Sequence, residues 1–321
     1  MPVFGRVVTA MATPFTADAA LDLAGAARLA DHLVSHGTDT VLLNGTTGES
    51  PTLEDAEVWD LLAAVKDAVG DRAQVMVGTG SNSTAKTVKA TERATAEGAD
   101  AVLVVTPYYN KPDARGLRQH FTTAAGATPL PVLLYDIPGR TSCEIPLDTL
   151  VELSEVDNIA GVKDATVNLA KAGQLIARTE DAPGGFEVYS GADEVNLPLM
   201  AVGAVGFVSV ASHLIGDALA EMARIFPTDP AKARDIHLRA LPVWKWLFAA
   251  PSPAPLKGAL DRLGLPGGPV RPPLAPASDD VVDAVIAALE PFGGSSSRGA
   301  DLASGESSSR GADLASEQGV R

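Results

Sequence analysis

Between residues 7 and 210 the chain alternates eight short apolar runs of strand type with Ala-rich stretches whose apolar residues recur at helical spacing. No other feature constrains the fold as strongly. The runs fall at 7–11, 40–44, 74–79, 101–106, 132–136, 159–163, 186–190 and 204–210, and stretches such as 21–36, 52–69, 83–97 and 113–127 lie between them. A strand that is apolar without alternation is buried on both faces, so the pattern predicts a parallel sheet covered by helices. Eight such units make a closed (β/α)₈ TIM barrel the simplest solution, with a doubly wound open sheet as the alternative. From 216 to 291 no further strand is evident, and Pro-rich breaks at 251–255 and 272–276 separate helical stretches. The expected division is therefore a barrel over 1–215, a C-terminal helical appendage over 216–292, and a tail over 293–321.

The tail differs in kind. SSSRGADLAS occurs at 295–304 and again at 307–316, and the only large apolar residues after position 292 are Leu302, Leu314 and Val320. So few apolar groups cannot offset the entropy of ordering the segment, so disorder is expected, with a docking peptide as the alternative. Over the full 321 residues 46% are hydrophobic, enough to supply a large core. No apolar run reaches the roughly 18 residues of a membrane span, and the N-terminus lacks the pattern of a signal peptide, so a cytoplasmic location is expected. The single cysteine, Cys143, excludes an internal disulfide. With 40 acidic against 25 basic residues the net charge is −15, which disfavours nucleic acid and anionic membranes as partners. An anionic substrate would have to be captured by specific local groups.

In a barrel of this type the reactive groups sit where strands end. After the second run come Asn44 and GTTGES (45–50), which offers backbone N–H groups and hydroxyls to an anion, or else is simply a glycine turn and helix cap. Three of the four tyrosines, Tyr108, Tyr109 and Tyr135, lie at strand exits, placed either for proton transfer or for rim packing. Arg140, after the fifth run, could clamp a carboxylate or form a surface ion pair. Lys163 closes the sixth run. Desolvation there favours the neutral amine that attacks carbonyls, the alternative being a lysine that snorkels to the rim. The convergence of hydroxyls, phenols, an arginine and a lysine on one end of one barrel favours a Schiff-base site.

The ordered motifs GTTGES (45–50), GTGSNST (78–84), TPYYNKP (106–112), YDIPGRT (135–141), GVKDAT (161–166) and SGADE (190–194) make residues 3–292 resemble the dihydrodipicolinate synthase family. That resemblance implies a homotetramer, a dimer of dimers, condensing pyruvate with L-aspartate 4-semialdehyde in diaminopimelate and lysine biosynthesis. It implies no cofactor and no metal: pyruvate is held covalently on Lys163. Tyr135 would move protons, relayed by Thr46 to Tyr109 of a neighbouring subunit. Gly45 and Thr47 would hold the pyruvate carboxylate, Gly191 and Val208 would line the pocket, and Arg140 would clamp the semialdehyde. N-acetylneuraminate lyase and 2-keto-3-deoxy-sugar acid aldolases share the lysine, tyrosine and turn, but Arg140 and the second tyrosine favour a short acceptor bearing a carboxylate. A silent keto-acid-binding paralogue is the third alternative, and the filled catalytic positions argue against it.

Lysine-inhibited members imply an effector site at Ser50, Pro51, Asp55, Val58, Asn82, Lys86 and Tyr108. Here Lys86 stands where they carry an acid, and Asp55 and Val58 where they carry histidines, so a degenerate site with weak or absent lysine feedback is expected. His32 and His36 have metal-binding spacing but read as a solvated helix face, and Gly78 and Gly80 lack the third glycine of a dinucleotide fingerprint.

Overall fold

The computed structural model describes residues 1–293. Strands β1 (Val7–Ala10), β2 (Thr40–Leu43), β3 (Gln74–Gly78), β4 (Ala101–Val105), β5 (Val132–Asp136), β6 (Ile159–Asp164), β7 (Glu187–Ser190) and β8 (Gly206–Ser209) close in sequence order into a barrel, all parallel. Each lies within two residues of its expected limits. The largest difference is at β8, which begins at Gly206 rather than at 204. The SSSRGADLAS repeat, expected to be disordered, lies outside the described residues.

Side-chain alternation along the strands builds two cores. Leu42, Leu103, Leu133, Tyr135 and Val208 belong to a cluster that fills the barrel. Val41, Leu43, Val102, Val104, Val132 and Leu134 belong to the layer between sheet and helices. Strand β6 breaks the alternation. Its register against β5 shifts by one residue, Val132 pairing Ile159 and Leu133 pairing Gly161. Ile159 and Val162 both pack in the outer layer, whereas Ala160 packs inside. A strict period of two from Ile159 would point Lys163 at the helices; the extra residue turns it into the barrel. Gly161 is needed at this bulge, because a Cβ there would sit 2.0 Å from the Glu187 carbonyl oxygen on β7.

The outer helices are α1 (Leu23–Ser35), α2 (Asp55–Val69), α3 (Thr84–Ala96), α4 (Ala114–Ala125), the short α5 (Pro138–Thr141), α6 (Leu147–Leu153), α7 (Leu169–Arg178), α8 (Asn196–Ala201) and α9 (Ser212–Ile225). Side-chain caps fix several entries: Asp22, Asp113 and Asn168 accept from the backbone N–H of Gly25, Gly116 and Lys171. Helix α9 packs on β1 and α1 and so closes the barrel. The boundary drawn at 215/216 falls inside this helix, at a kink where Ile215 has φ −134°. Helices α10 (Pro230–Leu247), α11 (Ala254–Arg262) and α12 (Asp279–Ala288) form the appendage. Among the described residues no helix is long and apolar enough to cross a membrane.

Candidate active site

Lys163 and Tyr135 face each other across the β5–β6 ladder, where they are register partners. The Lys163 Nζ lies 4.1 Å from the centroid of the Tyr135 ring, and the two residues are 6% and 5% exposed. Burial pushes the Lys163 amine down to about 7; the Asp193 carboxylate opposes the shift and the Arg140 charge adds to it. Burial also pushes the Tyr135 phenol up to about 12, against the nearby Arg140 charge and Thr46 hydroxyl. At neutral pH the pair therefore presents a substantially neutral amine beside a protonated phenol. A nucleophile and a proton donor are both ready without a base being supplied from solvent.

The loops after β2, β5 and β7 complete the surroundings. Gly45, Thr46, Tyr135 and Arg140 line one cavity of about 350 Å³ at the carboxyl ends of the strands. Asn44 opens the 45–50 turn with φ +54° and donates from Nδ2 to the Gly78 carbonyl at 2.7 Å. Thr13 secures the other side, donating to the Gly48 carbonyl at 2.7 Å. Thr47 and Val208 are buried at 4% and 3% exposure. A Cβ on Gly191 would lie 3.0 Å from Lys163 Cγ, so glycine there leaves room for the lysine side chain. Gly78 and Gly80 have the same kind of reason: a Cβ would meet the Asn44 carbonyl oxygen at 2.4 Å and the Val105 nitrogen at 2.3 Å.

Arg140 sits exposed on α5, whose start is set by Pro138 at its first position. It lines both the smaller cavity and a larger groove of about 870 Å³ that runs toward Trp244 and Phe248 of the appendage. Tyr109 is 88% exposed with φ +74°, and Tyr108 is 42% exposed. Tyr109 thus stands apart from Thr46 and Tyr135 within one chain. Of the expected effector residues, Ser50, Pro51 and Tyr108 line the smaller cavity. The Asn82 carbonyl accepts from Asn110 Nδ2, Val58 is buried in the core, and Asp55 and Lys86 are exposed. His32 and His36 stack with centroids 4.2 Å apart, and no group of three metal-ligating side chains converges among the described residues.

Two charged groups escape detection from residue type and spacing. Asp193, 2% exposed, accepts from the backbone N–H of Val210 and Ala211, both at 3.0 Å, and from Asn196 Nδ2 at 3.1 Å. It supplies the anion that the buried Lys163 ammonium feels. Asp136 ends β5 beside Tyr135 and accepts from Lys171 Nζ at 2.9 Å; the same ammonium reaches Glu144 at 2.8 Å and the Ile145 carbonyl at 2.7 Å. This network pins the chain on both sides of Arg140. Burial pushes Asp136 up to about 6, with Lys171 pulling it back. The only sequence signal for either was an acid at a strand exit.

Residues 3–291 match the model of the dihydrodipicolinate synthetase family. A 4-hydroxy-tetrahydrodipicolinate synthase of Moorella thermoacetica is 47% identical over 291 residues, 90% of this chain and 99% of that protein. The crystal structure of a dihydrodipicolinate synthase from Bacillus anthracis superposes with a TM-score of 0.86 at 44% identity, over 90% of this chain and 99% of the other. The enzyme from Cyanidioschyzon merolae, solved with lysine bound, gives 0.88 at 39% identity over 91% and 99%. The lysine and tyrosine paired across β5 and β6, the 45–50 turn above them and the barrel that holds both thus sit in a chain that belongs to the dihydrodipicolinate synthetase family.

Proposed function

We propose that this chain is a 4-hydroxy-tetrahydrodipicolinate synthase, condensing pyruvate with L-aspartate 4-semialdehyde in the cytoplasm. The observation that carries the chemistry is the buried Lys163 amine set 4.1 Å from the Tyr135 ring. Neutral Lys163 attacks the pyruvate keto carbon, and loss of water leaves an iminium on Nζ. The positive iminium makes the pyruvate methyl acidic, and its deprotonation gives the enamine. The enamine carbon then bonds to the aldehyde carbon, with Tyr135 protonating the new alkoxide. Finally the amine of the former semialdehyde attacks the iminium carbon, closes the ring and releases Lys163.

The 45–50 turn takes the pyruvate carboxylate through Gly45, Thr46 and Thr47, and Arg140 takes that of the semialdehyde. With its phenol pushed to about 12, Tyr135 acts as a donor unless a proton path drains it. Thr46 and a Tyr109 from a second subunit supply that path in a homotetramer. The exposure of Tyr109 and its left-handed backbone support this role. No cofactor takes part. The departures at Asp55, Val58 and Lys86 support weak or absent feedback by lysine.

Product analysis tests the reading. Pyruvate with aspartate semialdehyde should give the cyclic product, whereas N-acetylneuraminate and 2-keto-3-deoxy-sugar acids should not be cleaved. Reductive trapping with pyruvate should add one adduct per chain, lost in Lys163→Ala. An adduct that persists in Lys163→Ala would refute the assignment.

A further inference from the structure

The outer side of the 45–50 turn is bolted to a segment more than 200 residues away. Glu49 adopts a left-handed conformation, φ +56°, which a side chain larger than glycine holds only under constraint. Both of its oxygens are occupied by the C-terminal region. Oε1 accepts from Lys257 Nζ at 2.7 Å, and Oε2 accepts from the backbone N–H of Arg271 at 2.8 Å. The ion pair is sealed: the Lys257 and Glu49 side chains are 2% and 0% exposed.

Each cation has further anchors. Lys257 also donates to the Pro269 carbonyl at 2.7 Å and lies 4.1 Å from the centroid of Phe15. The Arg271 guanidinium forms a bidentate pair with Glu57, 2.6 Å on both arms, and donates to the carbonyls of Thr52 and Ala19. Arg271 therefore spans the far end of the turn and the start of α2. Gly268 lets the segment come this close, since a Cβ there would lie 1.9 Å from the Phe15 carbonyl oxygen.

A sealed ion pair is a poor stabiliser compared with apolar side chains of the same volume, because both charges lose their hydration. What it provides is direction, since charge-assisted hydrogen bonds fix where the two carboxylate oxygens lie. We propose that Lys257 and Arg271 are positioning residues for pyruvate capture, holding through Glu49 the turn whose inner side presents Gly45, Thr46 and Thr47 to the substrate carboxylate. The proposal rests on the reading of that turn given above. It makes the helical appendage part of the pyruvate site although it touches no substrate.

The test uses the full chain and an assay that needs pyruvate alone: the pyruvate concentration giving half-maximal cyanoborohydride trapping at Lys163, read by intact mass, alongside thermal melting. In E49Q and K257M that concentration should rise about tenfold or more, while maximal labelling stays complete because Lys163 and Tyr135 are untouched. K257R should recover part of the loss. A cooperatively melting E49Q whose half-saturation stays within about twofold of the wild type overturns the proposal. If K257M does not fold, the isosteric E49Q decides; collapse of E49Q itself would assign the pair to folding and also overturn the proposal. A wild type that traps pyruvate but makes no product with the semialdehyde refutes the proposed function while this comparison stands.

Discussion

Pyruvate capture should titrate near neutrality, and two neighbouring charges should move that titration in opposite directions. An ordinary lysine, with a pKa near 10.4, is neutral in only about 4 molecules in 10,000 at pH 7. Lys163, pushed down to about 7, is about half neutral there, a gain on the order of a thousandfold in the reactive form. Lower basicity makes each neutral amine somewhat less nucleophilic, which trims the gain without moving the midpoint. At subsaturating pyruvate the trapping rate should therefore fall about tenfold per unit well below pH 7 and level off above about pH 8. Asp193→Asn removes the anion that stabilises the ammonium and should shift the midpoint to lower pH. Arg140→Gln removes a cation that destabilises it and should shift the midpoint upward. The same displacement bears on stability. The folded pKa lies below the unfolded one, so the unfolded chain binds the extra proton between pH 7 and 10.5, and stability gains with pH across that window. The penalty, roughly 5 kcal/mol below pH 7, should be largely relieved in Lys163→Met. A trapping midpoint above pH 9, or shifts of the same sign in the two charge variants, would refute the reasoning.

Arg140→Ala should raise the semialdehyde KM by roughly 30- to 100-fold, the loss of a charge-assisted bidentate contact, while half-saturating pyruvate measured at pH 9 stays unchanged; steady-state kinetics in each substrate checks this. Lys171→Met leaves Asp136 and Glu144 facing each other without their cation and should cost about 3–5 kcal/mol in denaturant melts at pH 7. That cost should shrink at pH 5, because Asp136, already raised to about 6, takes up a proton there. Subunits carrying Lys163→Ala, mixed and reassembled with subunits carrying Tyr109→Ala, should regain about a quarter of wild-type activity, since half the dimers are mixed and each has one complete site. No recovery would place Tyr109 outside the relay. Lysine at submillimolar concentration should leave the wild type uninhibited, and Lys86→Glu should introduce inhibition; half-inhibition of the wild type in that range would sink the idea.

The barrel was legible because each strand is buried on both faces, so its apolar residues run on without interruption and announce themselves in a window of five. The positions of the candidate-site groups were legible for a related reason: Tyr135 and Lys163 lie at the ends of their strands and Thr46 and Arg140 follow a strand within a few residues, so local order places them at one end of the barrel. The supporting charges obey no such local rule. Glu49 and Lys257 are separated by 208 positions, and nothing in either neighbourhood marks them as a pair. Lys171 appears in the sequence as one more polar residue on an amphipathic helix, yet it is 9% exposed because Asp136 and Glu144 draw it inward. The end of the barrel phase was also hidden, since α9 and α10 are both helices and only packing on β1 separates the wall from the appendage.

The single-residue slip in β6 gives the lysine an address that depends on counting. Inserting one position just after Gly161 would leave the composition of the strand almost intact and could preserve its ladder, yet it would exchange inside for outside from that point on. Val162 would then occupy the mouth, and the amine would be driven into the aliphatic wall between sheet and helices. For anyone grafting this chemistry onto another barrel, copying the lysine and its tyrosine partner is insufficient: the irregularity just upstream must be transplanted with them. Insertions beyond the irregularity should accordingly be far less tolerated than substitutions.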